Sequence, residues 1–299
     1  MLAAALAACG GGDGGGAADG GECDAATPCG TGLVCDLTDP AGARCIDATG
    51  DLDGDGIPNA MDKCEHMAGG MFDEDGDGIG DECDACPIAK PPKTAETDGD
   101  GVDAPCDPNP TMPGDKIVLF NGFNNNAIPD GWLPSSADWT VVGGEAIVTP
   151  TTGDLEQLVA PITAGGTQLA LLSAYRVDTI NAGTNPQVGV QGIVKLPMGN
   201  QVYHCGSVRS DSLGDQLSLD ANGATAFMPF AKGLFDPAGL YRLAENLQGA
   251  SADCAVVTPT ESGAVTANRQ GFLPTQAGFE VRGAKARFEY LLVVSSGGK

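Results

Sequence analysis

The sequence predicts a mainly β chain: a disulfide knot and a helix-free acidic stalk, then an antiparallel β-sandwich of the jelly-roll kind. Three observations carry this. From residue 116 onward, short runs of β-forming residues are broken by Gly, Pro, Asn or Asp every eight to twelve residues. Between Asp51 and Asp107 an acidic, glycine-punctuated phrase occurs three times. Nine of the eleven cysteines lie before residue 107.

Charge follows the same division. The 299 residues carry a formal net charge of −25, and residues 1–115 hold 25 Asp and Glu against 4 Lys and Arg. That surface excludes nucleic acid as a partner, which needs a basic footprint. It gives anionic lipid no cationic patch to hold. Cysteines concentrated in the acidic front point to an oxidising compartment.

In residues 1–21, an apolar Met1–Ala8 stretch precedes Cys9 and a glycine-rich run. It is too short for a membrane-spanning helix, which needs about 20 residues. Leu6-Ala7-Ala8-Cys9 resembles a bacterial lipobox, which implies a signal-peptide end, acylation of Cys9 and a lipid anchor as the only membrane contact. The resemblance thus implies an outer-membrane or extracellular address. Setting Cys9 aside leaves ten cysteines, an even number for disulfides. Residues 22–48 hold Cys23, Cys29, Cys35 and Cys45. So short a piece cannot build a core and has to be stapled. Of three possible connectivities the sequence selects none; the expectation taken is the interleaved Cys23–Cys35, Cys29–Cys45, with a four-cysteine zinc site as its rival.

Residues 49–115 carry the repeated phrase. Its first copy sets Asp51, Asp53 and Asp55 at the first, third and fifth places, Gly56 at the sixth and Ile57 at the seventh. Asn59 follows at the ninth place and Asp62 at the twelfth. The second copy reads Asp73, Asp75, Asp77, Gly78, Ile79, Asp81 and Asp84, and the third Glu96, Asp98, Asp100, Gly101, Val102 and Asp107. Ca2+ takes six to eight oxygens at roughly 2.3–2.6 Å, which alternating carboxylates curled round one centre supply, with the seventh-place carbonyl among them. In the third copy Asp103 comes one place early and Ala104 fills the ninth place, so its site reads as the weakest. A paired helix–loop–helix sensor does not fit, because Pro58, Pro87, Pro91 and Pro92 flank the loops. Large apolar side chains are sparse here, too few to offset roughly 1–2 kcal/mol of ordering entropy per residue. Folding of this segment is therefore expected to be coupled to metal.

With its cysteines, this segment resembles the thrombospondin type 3 repeat. Cys64 follows Asp62 by two, Cys83 and Cys106 fall two places after the ninth slot, and Asp84-Ala85-Cys86-Pro87 matches the joint between repeats. The resemblance implies calcium-lined loops in an extended segment, with bridges Cys64–Cys83 and Cys86–Cys106. It also implies a non-enzymatic surface protein for adhesion or ligand recognition, with a surface protein or glycan as partner.

Residues 116–299 contain nine candidate strands: 116–120, 139–149, 167–177, 187–196, 201–208, 216–219, 252–257, 279–281 and 287–294. A helix is expected only over 236–248. Cys205 and Cys254 read as one bridge. Phe120-Asn121-Gly122-Phe123, Asp130-Gly131-Trp132, the run from Trp139 to Ala146 and the closing segment from Gly278 to Tyr290 loosely resemble concanavalin-A-like jelly rolls. That family includes laminin G-like modules, lectins and some glycosidases, so a carbohydrate-binding module or glycoside hydrolase is the alternative function. Asp154 and Glu156 stand two apart without the third carboxylate of a Glu-x-Asp-x-(x)-Glu run and read as a loop edge. His204 has no nucleophile elbow beside it and reads as an ordinary strand residue. Trp139 reads as core, while Trp132 divides evenly between core and a sugar platform.

Overall fold

The computed structural model describes residues 16–24, 26–90, 97–231 and 233–297. Cys9 and Glu96 lie outside the described residues. The chain separates into two compact units, Met1–Lys90 and Pro91–Lys299. The third acidic loop therefore belongs with the sandwich, and a boundary at 115/116 falls inside the second unit. Two side chains explain this: Asp100 accepts from the N–H groups of Gly114 (2.9 Å) and Asp115 (2.7 Å), and Asn109 Nδ2 donates to Gln168 and Ser296 (2.8 Å each).

In the first unit, β1 (Leu33–Asp36) and β2 (Arg44–Asp47) form an antiparallel hairpin. Bridges Cys23–Cys35 and Cys29–Cys45 staple it, so these four sulfurs are not zinc ligands. Cys64–Cys83 closes the chain between the first two acidic loops. Cys86 and Cys106 are each disulfide-bonded. Such bridges belong to an oxidising, extracellular or secretory setting. Among the described residues no helix is long and apolar enough to cross a membrane.

The second unit is all β. Its strands are β3 (Asp115–Asn121), β4 (Leu133–Pro134), β5 (Trp139–Val142), β6 (Glu145–Val148), β7 (Glu156–Pro161), β8 (Gln168–Ile180), β9 (Gln187–Val194), β10 (Gln201–Ser210), β11 (Gly214–Ala221), β12 (Ala224–Pro229), β13 (Tyr241–Gln248), β14 (Ser251–Val257), β15 (Ser262–Asn268), β16 (Gln276–Arg282) and β17 (Ala284–Ser296). One sheet runs β12-β11-β10-β9-β16-β7-β4. The other runs β15-β14-β13-β8-β17-β6-β5, with β3 also paired to β17. All pairings are antiparallel, which makes this an antiparallel β-sandwich.

Alternation decides what faces inward. Val190, Tyr203, Cys205, Leu217, Leu219, Phe279 and Val281 of the first sheet meet Leu171, Tyr175, Leu243, Leu247, Val256 and Phe288 of the second in one core. Phe279 and Phe288 stack at 4.0 Å across the two sheets. Trp132 and Trp139 are both buried against this cluster, so Trp132 is no sugar platform. The Cys205–Cys254 bridge joins β10 to β14, one strand from each sheet.

Residues 241–248 form β13, not a helix: Tyr241, Leu243, Glu245 and Leu247 alternate inward, and a period of two outweighs the helix-forming composition. Strands β7, β12 and β15 were not expected. The last two lie at sheet edges, where one face stays exposed: β12 turns Phe227 outward, and β15 has Val265 as its one large apolar residue. Glu156 is buried in β7, its carboxylate accepting from the hydroxyls of Ser135 (2.7 Å) and Ser136 (2.6 Å), while Asp154 is exposed.

Glu245 breaks the apolar pattern. It is fully buried, stands opposite Cys254 in the ladder, and both carboxyl oxygens lack a partner. Burial pushes its carboxyl well above the usual range, and Glu280 and Asp220 add to the shift. A carboxyl raised by folding keeps its proton in the native state, so stability is full at low pH and declines as pH rises toward the folded value. In Glu245→Gln this decline is expected to flatten while the thermal midpoint near pH 4 stays close to wild type. Parallel midpoint–pH curves for the two proteins would remove Glu245 as the cause.

Candidate metal sites and a polar groove

Each acidic loop is closed by its own backbone amides. In the first, Asp51 accepts from the N–H groups of Gly54 (2.8 Å) and Gly56 (3.0 Å), Asp53 from Asp55 (3.1 Å) and Asp55 from Ile57 (2.7 Å). The second repeats these offsets: Asp73 with Gly76 (2.6 Å) and Gly78 (3.1 Å), Asp75 with Asp77 (2.9 Å), Asp77 with Ile79 (2.8 Å). In the third, Asp100 accepts from Val102 (3.0 Å). Gly56, Gly78 and Gly101 make the turn at φ of 95°, 102° and 88°, a left-handed conformation that side chains resist.

The outcome is three carboxylate clusters, Asp51/Asp53/Asp55, Asp73/Asp75/Asp77 and Asp98/Asp100/Asp107, each with one oxygen per residue within 4.8 Å of the others. The twelfth-place residues Asp62, Asp84 and Asp107 are all buried. Each gives one oxygen to the N–H two residues on, at Cys64 (2.8 Å), Cys86 (2.8 Å) and Asn109 (2.6 Å). The second oxygens of Asp62 and Asp107 are buried without a partner, as are Oδ2 of Asp53 and Asp75. Asp62 and Asp107 are only 4 % and 8 % exposed, so water does not compensate them.

The ninth place brackets the loop. Asn59 Oδ1 accepts from Leu52 N–H (3.0 Å) while its amide donates to the Asp47 carbonyl (2.8 Å), and Asp81 Oδ1 accepts from Glu74 N–H (2.8 Å). Ala104 has no side chain to do this. Ile57, Ile79 and Val102 follow the glycines, with Val102 turned into the interior.

Crowding shows in the titration of these groups. Burial, with Asp53 and Asp55 nearby, raises Asp62; burial, with Asp77 and Asp73, raises Asp75. Burial lifts Asp81 to about 6, and burial together with Asp115 lifts Asp107 to about 7. Asp73 goes the other way, because against its burial the Lys63 ammonium at 2.7 Å and the Gly76 and Gly78 amides hold it down. All-oxygen ligands converging in threes, some of their oxygens buried without a donor, fit a hard divalent cation such as calcium. His66 is not part of this: its Nε2 lies 2.9 Å from Asp36 Oδ2.

The sandwich carries a second feature that the residue-by-residue reading missed. A groove of about 650 Å³ crosses the outer face of the β9–β12 and β16 sheet. His204, Gln216, Ser218, Asp220, Glu280 and Arg282 reach it from strands whose alternate residues fill the core. At its floor His204 Nδ1 lies 2.6 Å from Glu280 Oε1, both almost fully buried, and the Gln187 amide donates to the same carboxylate. Burial would raise Glu280, but His204 and Gln187 outweigh it and hold its carboxyl below the usual value. Gly189 and Gly206 make room for the ring, since a Cβ on either would lie 2.7 or 2.8 Å from His204 Cε1. Phe227 stands at the rim, 53 % exposed. Asp220 on β11 and Glu280 on β16 are separated by three strand spacings, roughly 14 Å of backbone.

No protein-family model matches the chain, and no curated protein does either. Among solved structures it is similar to a xylan β-1,4-xylosidase from Bacillus halodurans (TM-score 0.44, 11 % identity, 61 % of this chain against 40 % of that one). It is also similar to a β-glucanase of Bacillus licheniformis (0.43, 11 %, 62 % against 99 %) and to lectin UEA-II in complex with galactose (0.44, 12 %, 60 % against 99 %). The chain spans less than half of the xylosidase's length.

Proposed function

We propose that the chain is a calcium-binding protein of the thrombospondin type 3 repeat kind whose C-terminal sandwich recognises a ligand, a carbohydrate in the first instance. The observation that carries the calcium reading is the pair of buried oxygens of Asp62 and Asp107. Each has no hydrogen-bond donor and belongs to, or faces, a three-carboxylate loop. A cation supplies what the protein withholds there. Asp51, Asp53, Asp55 and Asp62 would hold one ion, and Asp73, Asp75, Asp77 and Asp84 a second. The third falls to Asp98, Asp100 and Asp107. The ion contributes charge neutralisation alone; the residues supply the shape. An adhesive role at a cell surface goes with this reading through the repeat resemblance.

The groove favours a sugar as the ligand. Planar amide, imidazole, carboxylate and guanidinium groups line it beside one exposed aromatic ring, the mixture that hydrogen-bonds hydroxyls and covers a sugar face. Its carboxylates Asp220 and Glu280 rise from strands roughly 14 Å apart, and Glu280 is already engaged by His204 and Gln187, which favours binding over hydrolysis.

Calorimetric titration of the full chain with calcium chloride should show about three sites. No uptake at millimolar calcium would sink the calcium reading. Gly56→Ala, where a Cβ meets nothing within 4 Å, is expected to cost about 1 kcal/mol through φ alone, weakening one site roughly fivefold; an unchanged isotherm would remove the left-handed turn from the account. On a glycan array the chain should bind one sugar class competably, with loss in Phe227→Ala. Binding that survives both Phe227→Ala and Asp220→Ala would place the sugar elsewhere.

A further inference from the structure

The third loop lacks a ninth-place side chain, yet its surroundings provide a carboxylate from another element. Asp115, the first residue of β3, is 1 % exposed, and one N–H, that of Asn109, donates to its carboxylate and to that of Asp107. Its backbone N–H and that of Gly114 both donate to Asp100 Oδ2, at 2.7 and 2.9 Å. Asn109 turns between them: its N–H donates to Asp107 (2.6 Å) and Asp115 (3.2 Å), and its amide reaches Gln168 of β8 and Ser296 of β17 (2.8 Å each). Thr97 donates to the Pro110 carbonyl, tying down the far side of the loop. Three carboxylates, Asp98, Asp100 and Asp107, thus gather where the sandwich begins and where its last strand ends, with Asp115 sharing the Asn109 N–H with Asp107 and standing opposite Ser296 in the ladder. Independently of that gathering, Asp107 Oδ2 is buried and has no hydrogen-bond donor, on a side chain that belongs to the cluster.

We infer that Asp115 is a ligand of the third calcium site, standing in for the missing ninth-place group, and that this ion staples β3 to β17 at the open end of the sandwich. The inference rests on the calcium reading above. The third site is then the one through which calcium stabilises the sandwich, whereas the first two act on the N-terminal unit alone. Because β3 pairs, among the described strands, with β17 alone, opening that corner frees β3 as a unit and dismantles the site. Binding to the closed form alone slows such opening by the factor 1 + [Ca]/Kd.

The test is hydrogen exchange by mass spectrometry on the full chain, with calcium chloride or with EDTA, beside calorimetric counting of sites. At calcium one hundred times the third-site Kd, peptides covering 115–121 and 291–296 should exchange about a hundredfold more slowly. Asp115→Asn should lose one calcium site and that protection together. Asp98→Asn, a change within the loop and outside the sandwich, should do the same, which covers the case in which Asp115→Asn fails to fold. Asp75→Asn should lose a site and keep the protection. If the wild-type chain takes up no calcium, the calcium reading itself fails. Should it take up calcium while β3 and β17 exchange equally with and without it, the staple alone is overturned. Retention of every site at wild-type affinity in Asp115→Asn would likewise overturn it.

Discussion

Like charges held a few ångströms apart govern the front of this molecule. Two carboxylates about 5 Å apart repel by roughly 3 kcal/mol at an effective dielectric near 20, and each loop gathers three within 4.8 Å. The chain answers with what it has locally. Backbone N–H groups brought round by left-handed glycines take both oxygens of Asp51 and Asp73 and one of Asp53 and Asp75, and in the second loop Lys63 also binds Asp73. These donors orient the carboxylates without neutralising them. The remaining charge can be balanced only by protons or by a cation; burial first, and neighbouring carboxylates second, raise Asp62, Asp81 and Asp107. Little else could hold the segment, since its buried apolar groups are mainly half-cystines.

The spacing of the loops was readable because a turn of this kind is local. Asp51, Asp53 and Asp55 converge through hydrogen bonds that reach two to five residues along the chain, and a period in the sequence reports such contacts directly. The ninth place was half read: Asn59 and Asp81 are oxygen donors in the right position, but their oxygens are already bonded to the second-place amide, so they frame the loop as well as facing it. The partner of the third loop was out of reach. Asp115 lies eight residues beyond Asp107, in what reads as the start of a strand, and only the folded corner brings the two together.

In the sandwich, strands with large apolar residues on one parity were legible, and those at the edges were not. Residues 262–268 alternate small or polar groups, and residues 224–229 put Ala224 and Ala226 inward but Phe227 outward, so apolar parity marks no buried face in either. Residues 241–248 misled through composition, since Leu, Ala, Glu and Gln suit a helix better than a strand; cross-strand pairing with β8 and β14 on both sides overrides that preference. The tryptophans were ambiguous for a related reason. An aromatic after a turn is core or platform according to what closes over it, and Phe123 and Phe279 close over Trp132.

The groove shows most plainly what a linear reading lacks. Gln187, His204, Ser218 and Glu280 are unremarkable polar residues taken singly, and each sits on a strand whose other parity is plainly core. Only the register places Gly189 between Glu280 and Gly206, and Ser218 beyond Gly206, so that four strands contribute to one polar floor. Burying the polar groups of His204 and Glu280 there has a desolvation cost that their 2.6 Å contact offsets only if the geometry is held. The two glycines and the Gln187 amide hold it. Beneath them the inter-sheet disulfide and the Phe279–Phe288 stack keep β10 and β16 from shifting. Polar groups buried and held this closely present their donors and acceptors at fixed positions along the groove.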